Sequence, residues 1–181
     1  LEDIVDERYE FIHGSINDYE LVSSIILEER IDSIIHLAAE SHVDRSIKSV
    51  RPFIETNIGG TLSILEVIQN NLLKGNVVNL IHVSTDEVYG SLGPSEEPFT
   101  ENSPISPRNP YAATKASSDM LVEAFVNTHG INALITRCSN NYGPNQFPEK
   151  LIPLMALNAL DGKSLPIYGN GQQIRDWIHV S

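Results

Sequence analysis

Two adjacent carboxylates, Asp86 and Glu87, close the apolar run "VVNLIHV" in the stretch 77–90. Neighbouring like charges repel, so the pairing needs a reason. Ser84-x-x-Glu87 matches a capping box. The next residues, "VYGSLGPSEEP", cannot continue a helix through two glycines and a proline, so a cap there would have nothing to cap. A solvated pair sits awkwardly at the end of a buried strand. The favoured reading is chemical: two carboxyls in different surroundings, one serving as acid and the other as base.

A second constellation lies in "NPYAATKASSDM" (109–120), where Tyr111 and Lys115 stand four apart near a helix start, hence on one face. Tyrosine ionises near ~10, so work as a base near neutrality needs a lowering of roughly three units, about 4 kcal/mol of differential stabilisation. A nearby ammonium and a helix N-terminus both push that way. Alone, Tyr-x-x-x-Lys is a common helical pattern, and a half-buried Tyr beside a solvated Lys is the bland reading. Placement after a buried strand and a long loop favours the chemical one.

Alternating elements must hold these groups. "YEFIHGS" (9–15) reads as a short strand, and Leu21, Val22, Ile25 and Ile26 recur at helical spacing through 17–30, with Asp18 as cap. "DSIIHLAA" (32–39) and "VVNLIHVS" (77–84) read as strands buried on both faces. Between them, 53–73 carries Ile54, Ile58, Leu62, Leu65, Ile68 and Leu72 on one helical face. A Pro-, Ser- and Glu-rich loop (91–108) is long enough to suggest function. Helix 110–129 follows with Asn109 as N-cap and Pro110 at the first position. Strand 132–139 and helix 149–161 complete the order. Such βα units imply a parallel sheet with helices on both faces, and ligands bind beyond the carboxyl ends of its strands. There stand "AAESHVD", "STDEVYG" and "SNNYGPN".

Composition narrows the function classes. At 181 residues, with 41% hydrophobic and 20% charged residues, the chain suits one soluble domain with a substantial core. A formal net charge of −12, without a basic cluster, argues against a nucleic-acid surface. No apolar stretch reaches membrane-spanning length, so a cytoplasmic protein is the default. Cys138 is the only cysteine, excluding an intrachain disulfide and a thiolate zinc site. The histidines show no metal spacing; His36 and His82 read as packed side chains, as does Cys138.

Six stretches together carry a resemblance: "LAAESHVDRSI", "TNIGGT", "STDEVYG", "NPYAATKASSD", "RCSNNYGPNQFPEKLIP" and "LPIYGNGQQIRDW". In this order, from about residue 31 onward, the chain resembles the dTDP-glucose 4,6-dehydratases, extended short-chain dehydrogenases/reductases. The resemblance implies a Rossmann-like doubly wound parallel α/β sheet, with residues 1–140 a partial NAD-binding domain and 141–181 a partial nucleotide-sugar-binding region. It implies NAD+ as cofactor and three steps. Tyr111, assisted by Lys115 and Thr85, removes the sugar 4-hydroxyl proton while NAD+ takes hydride from C4. Glu87 as base and Asp86 as acid then eliminate water across C5 and C6. Hydride returns to C6, leaving dTDP-4-keto-6-deoxyglucose. The adjacent acids thus find a use: one proton is taken and one supplied at neighbouring carbons.

Further positions follow the resemblance. Leu37, Ala38, Ala39 and Thr56 resemble cofactor-facing residues, and Asn141 a contact on the nicotinamide side; for Ala38, tight helix–strand packing is an equal alternative. Ser41 and Asn140 resemble sugar or phosphate contacts, although Asn140 and Asn141 also suit a turn. Glu149, Lys150, Leu151, Pro166, Ile167 and Tyr168 resemble a nucleotide pocket, with first-turn helix charges the alternative for Glu149 and Lys150. Arg175 resembles the residue that pairs with the diphosphate, with an ion pair to Asp176 as its rival.

The chain departs from the family in two respects. It carries no GxxGxxG turn, so it reads as an incomplete stretch of a longer enzyme that alone should bind NAD+ poorly. Ser15 stands where the family usually has Asp near the adenine. The competing functions are a related nucleotide-sugar epimerase or decarboxylase, and a non-catalytic nucleotide-binding relative. Epimerases and decarboxylases share Tyr and Lys but usually lack the Asp-Glu pair. A silent relative should have lost one of Thr85, Asp86, Glu87, Tyr111 and Lys115, and all are present. The family tendency is a homodimer built from a helix bundle, with 53–73 and 110–129 as the candidate helices.

Overall fold

A computed structural model describes residues 8–93, 95–167 and 169–181. The chain divides into two compact units, Leu1–Thr136 and Arg137–Ser181. The order is α1 (Tyr19–Glu28), β1 (Ser33–His36), α2 (Val43–Lys48) and α3 (Arg51–Phe53), which runs through a π-helical segment (Ile54–Gly60) into α4 (Thr61–Leu73). Then come β2 (Asn79–Thr85), a 3-10 turn (Asp86–Tyr89), α5 (Pro110–His129), β3 (Ala133–Cys138), β4 (Asn140–Tyr142), α6 (Leu151–Leu160) and β5 (Trp177–His179).

Strands β1, β2 and β3 form one sheet in that order. β1 and β2 are parallel, with Ser33 opposite Asn79 and His36 opposite His82. Helical crossovers between successive strands make this a Rossmann-like α/β fold, as the alternating sequence requires. The core lies on one face of the sheet. There Ile34, Leu80, Ala133 and Ile135 meet Ile26 of α1, Ile64, Leu65, Val67 and Ile68 of α4, and Val122 of α5.

Local signals set the helix ends. Asp18 caps α1 by accepting from Leu21 N at 3.1 Å, and Asn109 caps α5 by accepting from Ala112 N at 2.8 Å. Helix α5 stops at Gly130, whose left-handed φ of 70° a residue without Cβ adopts freely.

Several expectations are corrected. Residues 9–15 form no strand; a strand exists through its ladder, and no described strand lies beside them. The strands are not buried on both faces: Ile35 is 62% exposed and Leu134 59%. Helices α1, α4 and α5 cover the other face, and the sheet side bearing Ile35, Ile81 and Leu134 has no helix over it among the described residues. In 53–73 the buried residues are Phe53, Asn57, Gly60, Thr61, Ser63, Ile64, Leu65, Val67, Ile68 and Asn71; Leu65 and Ile68 are inward as read, whereas Ile54 is 47% exposed and Ile58, Leu62 and Leu72 are half-buried. The π turn, wider than the 3.6-residue count used to read the whole stretch, breaks that count between Phe53 and Thr61. Helix α2 and the parallel pair β4–β5 were not anticipated; all three are short and lack strong periodicity.

Candidate active site

Strand β2 ends at Thr85 and delivers Asp86 and Glu87 into a single 3-10 turn. The capping alternative, set aside on sequence, is partly realised. One turn fits before Gly90 ends it, and its cap is Thr85, whose Oγ1 accepts from Glu87 N at 3.3 Å. The same hydroxyl donates to Asp86 Oδ1 at 3.4 Å. The two carboxyls differ in surroundings. Burial first, then the neighbouring Glu87, pushes the Asp86 carboxyl above the usual carboxylate range, against the lowering pull of the Thr85 hydroxyl and backbone amides. Glu87 Oε2 instead accepts a 2.8 Å hydrogen bond from Asn109 Nδ2.

Helix α5 brings the second constellation to the same end of β2, packing against β2, the 86–89 turn, α2 and the π segment. Lys115 is 3% exposed and donates from Nζ to Val83 O at 2.9 Å, so its ammonium is tied to the last turns of β2. Tyr111 lies one helical turn earlier and is half-buried, and its N–H donates to Ser46 Oγ of α2 at 3.2 Å. Asn57 joins the elements further: it exchanges hydrogen bonds with the Glu40 backbone at 2.8 and 3.0 Å and donates to Thr114 Oγ1 at 2.9 Å. Sequence reading missed Asn57, Ser46 and the side-chain role of Asn109 toward Glu87. A polar residue at a buried helical position was the available signal for Asn57.

Behind these groups lies a polar core. His36 and His82 are 3% and 0% exposed, with ring centroids 5.3 Å apart. His82 Nε2 stands 3.4 Å from Asp119 Oδ1. Burial, then His82 and Lys115, pulls the His36 pKa down to about 3, so its ring is neutral near pH 7. Thr61 Oγ1 donates to Asn57 O, which leaves its oxygen to accept from His36 Nε2 at 3.1 Å. These histidines are packed side chains, as read from sequence.

Beyond β1, Leu37 is 71% exposed and Ala38 is exposed, while Ala39 and Ser41 are half-buried; Thr56 is half-buried on the π segment. Small side chains at the carboxyl end of β1, with Lys115 and Tyr111 beyond β2, fit the nicotinamide half of a dinucleotide. No Gly-rich turn for its pyrophosphate is in the sequence. A shallow apolar cavity of about 230 Å³, lined by Ile68, Leu72, Val78 and Ile131 among others, lies toward the amino end of β2 and bears no converging charged groups.

In the second unit, Asn140 Nδ2 donates to Asp176 O at 3.2 Å, and Asn141 is exposed with Nδ2 3.1 Å from Cys138 Sγ. Both stand in strand β4, paired with Trp177 and Ile178 of β5, rather than in a turn. Lys150 is the N-cap residue of α6, its Nζ 3.8 Å from Glu149 Oε1, and Leu151 opens the helix. Pro166 is half-buried and Ile167 is 74% exposed; Tyr168 lies outside the described residues. Arg175 is exposed and donates to Ile174 O at 2.7 Å; among the described residues it forms no ion pair with Asp176. Among the described residues, no cluster of three metal-ligating side chains occurs and no helix is long and apolar enough to cross a membrane.

A family model described as GDP-mannose 4,6 dehydratase matches residues 2–181. The chain belongs to this family. Within it, the chain is 52% identical over 178 residues to dTDP-glucose 4,6-dehydratase of Neisseria meningitidis serogroup B, covering 96% of this chain and 50% of that protein. It is 50% identical to dTDP-glucose 4,6-dehydratase 1 of Escherichia coli K12, covering 99% and 54%. The family fold is equally clear in solved structures. The dTDP-glucose 4,6-dehydratase DesIV of Streptomyces venezuelae, crystallised with NAD and dTDP, superimposes with a TM-score of 0.89 at 48% identity, over 96% of this chain and 52% of that one. A UDP-glucuronic acid 4-epimerase of Bacillus cereus, in complex with UDP-glucuronic acid and NAD, follows at 0.86 and 30%, over 97% and 53%. The chain spans about half the length of the curated relatives it matches.

Proposed function

We propose that this chain supplies the catalytic centre of an NAD+-dependent dTDP-glucose 4,6-dehydratase. The observation that carries the reading is the Asp86–Glu87 pair in unlike surroundings: one carboxyl biased toward its protonated form, its neighbour held by an amide donor. Such a pair suits a step that takes one proton and gives another. Identities near 50% to proteins of that name support the same reading over the epimerase at 30%.

Bound NAD+ supplies the acceptor and donor of hydride. Tyr111 takes the 4-hydroxyl proton, with the buried Lys115 ammonium and the N-terminus of α5 favouring its phenolate; Thr85 orients the hydroxyl. Once C4 is a ketone, Glu87 removes the acidified C5 proton and Asp86 protonates the departing C6 hydroxyl as water. Leu37, Ala38, Ala39, Thr56 and Asn141 line the cofactor. Ser41, Asn140, Glu149, Lys150, Leu151, Pro166, Ile167, Tyr168 and Arg175 serve the nucleotide sugar. In this assignment 1–140 is the cofactor-binding part and 141–181 the sugar-nucleotide part of a cytoplasmic homodimer.

The deciding test expresses the complete reading frame, incubates the protein with NAD+ and dTDP-glucose, and weighs the product, beside a Glu87→Gln variant. Loss of one water, reduced at least about a hundredfold in the variant, is expected. An unchanged mass overturns the dTDP-glucose assignment and turns attention to UDP-sugars, or to an epimer of equal mass.

A further inference from the structure

We propose that Asn109 is a positioning residue that locks the base Glu87 to the helix carrying Tyr111 and Lys115, so that proton abstraction at C5 is aligned with oxidation at C4. The role rests on the dehydratase reading above. Its evidence is the double use of one side chain. Asn109 Oδ1 accepts from Ala112 N at 2.8 Å, and this cap fixes which way the amide faces. Nδ2 is thereby turned to Glu87 Oε2, also at 2.8 Å, across 22 residues of chain.

Capping alone does not ask for asparagine. Ser, Asp and Asn cap about equally well. Asp has no hydrogen to give a carboxylate, and the Ser hydroxyl offers one on a shorter arm. Asn alone of these accepts from the helix with one atom and donates to Glu87 with another.

The surrounding backbone makes the link rigid. Ser106 N donates to Val88 O at 2.9 Å, tying the chain three residues before Asn109 to the turn that bears Glu87. Val88, Tyr89 and Ala116 pack together with Phe99 and Ile105 from the long loop, and the Tyr89 and Phe99 rings lie 5.3 Å apart. Glu87 and Tyr111 therefore belong to one braced body, with Asn109 as the polar tie two residues from Tyr111. A base displaced by about 1 Å forfeits roughly a hundredfold in rate, which is what this tie prevents.

Asn109→Asp and Asn109→Ser separate the roles in the protein from the complete reading frame. Asp keeps the cap, removes the donor and sets a like charge against Glu87. The lost bond and the repulsion lower its melting temperature modestly, since both groups are partly solvated, while kcat for dehydration falls roughly tenfold to a hundredfold with KM for dTDP-glucose little changed. Because oxidation at C4 is spared, reduced nicotinamide should accumulate during turnover, visible by its near-ultraviolet absorbance. Asn109→Ser, with a cap and a short donor, should recover part of the rate. A dehydrating parent whose Asp variant turns over at the parental rate overturns the positioning role. So does a rate loss without accumulated reduced cofactor, or one that merely tracks a lowered melting temperature in both variants. A parent that releases no water overturns the dehydratase reading itself, and this role with it.

Discussion

Asp86 is placed where chemistry and stability pull apart. Its carboxyl is half-buried and pressed by Glu87, so the fold prefers it protonated. A raised folded-state pKa means the fold gains from this group at low pH, below the unfolded value, and loses that gain as pH rises through the raised value. Above that raised value the ionised Asp86 is thus a net cost. Asp86→Asn should raise stability at pH 7 by at most about 1 kcal/mol, since solvent screens a carboxyl so exposed. The gain should vanish near pH 3, where both states carry the proton; urea unfolding at the two pH values measures it. The same variant should lose dehydration, as expected where a site trades stability for function. Equal stability at both pH values would show that Asp86 carries no such strain.

At the scale of elements, the join between the 86–89 turn and α5 decides the geometry. Gly90 makes that join possible. Its φ of 106° and ψ of −132° are open essentially to glycine alone, and a Cβ there would meet Ser106 O at 2.6 Å. Gly90→Ala should therefore push the returning loop away from Val88, costing about 1–3 kcal/mol in urea unfolding. Dehydration should fall with it, because the Ser106–Val88 tie and the Asn109–Glu87 bond share one body. An alanine variant as stable as the parent would mean that the loop yields without strain. The π segment works similarly from the other side: its offset turns Asn57 and Thr61 inward, where they bond the chain after β1 and the packed His36.

At the scale of the molecule, the sheet is finished on one side only among the described residues. Ile35 lies opposite Ile81 in the ladder, and Leu134 points away from the core that takes Ala133 and Ile135. Three apolar side chains thus stand exposed on a sheet face, where single-chain proteins rarely leave a contiguous patch. The 181-residue chain expressed alone should bind a hydrophobic dye and self-associate. Replacing Ile35, Ile81 and Leu134 with Thr, which suits strands, should weaken both while leaving the circular dichroism spectrum unchanged. Undiminished self-association in the triple variant would place the sticky surface elsewhere.

The sequence alone determined much of this protein, because its strongest signals are local. Asp18 and Asn109 marked helix starts, and apolar runs within 32–39, 77–84 and 132–139 marked strands, since caps and periodicity act over a few residues. The order of elements then implied a parallel sheet, and the residues after its strands pointed to the site. Tertiary structure decided what depends on neighbours distant in the chain. Among the described residues, the 9–15 stretch found no ladder and one sheet face found no covering helix. The π segment broke the straight helical count before Thr61, where Asn57 rather than Ile54 is buried and bonds partners 17 and 57 residues away. Most of all, two equal carboxylates became unlike only when folding half-buried Asp86 against its neighbour and brought an amide 22 residues away to Glu87. Desolvation and directed hydrogen bonds come from three-dimensional surroundings, which a linear pattern does not carry.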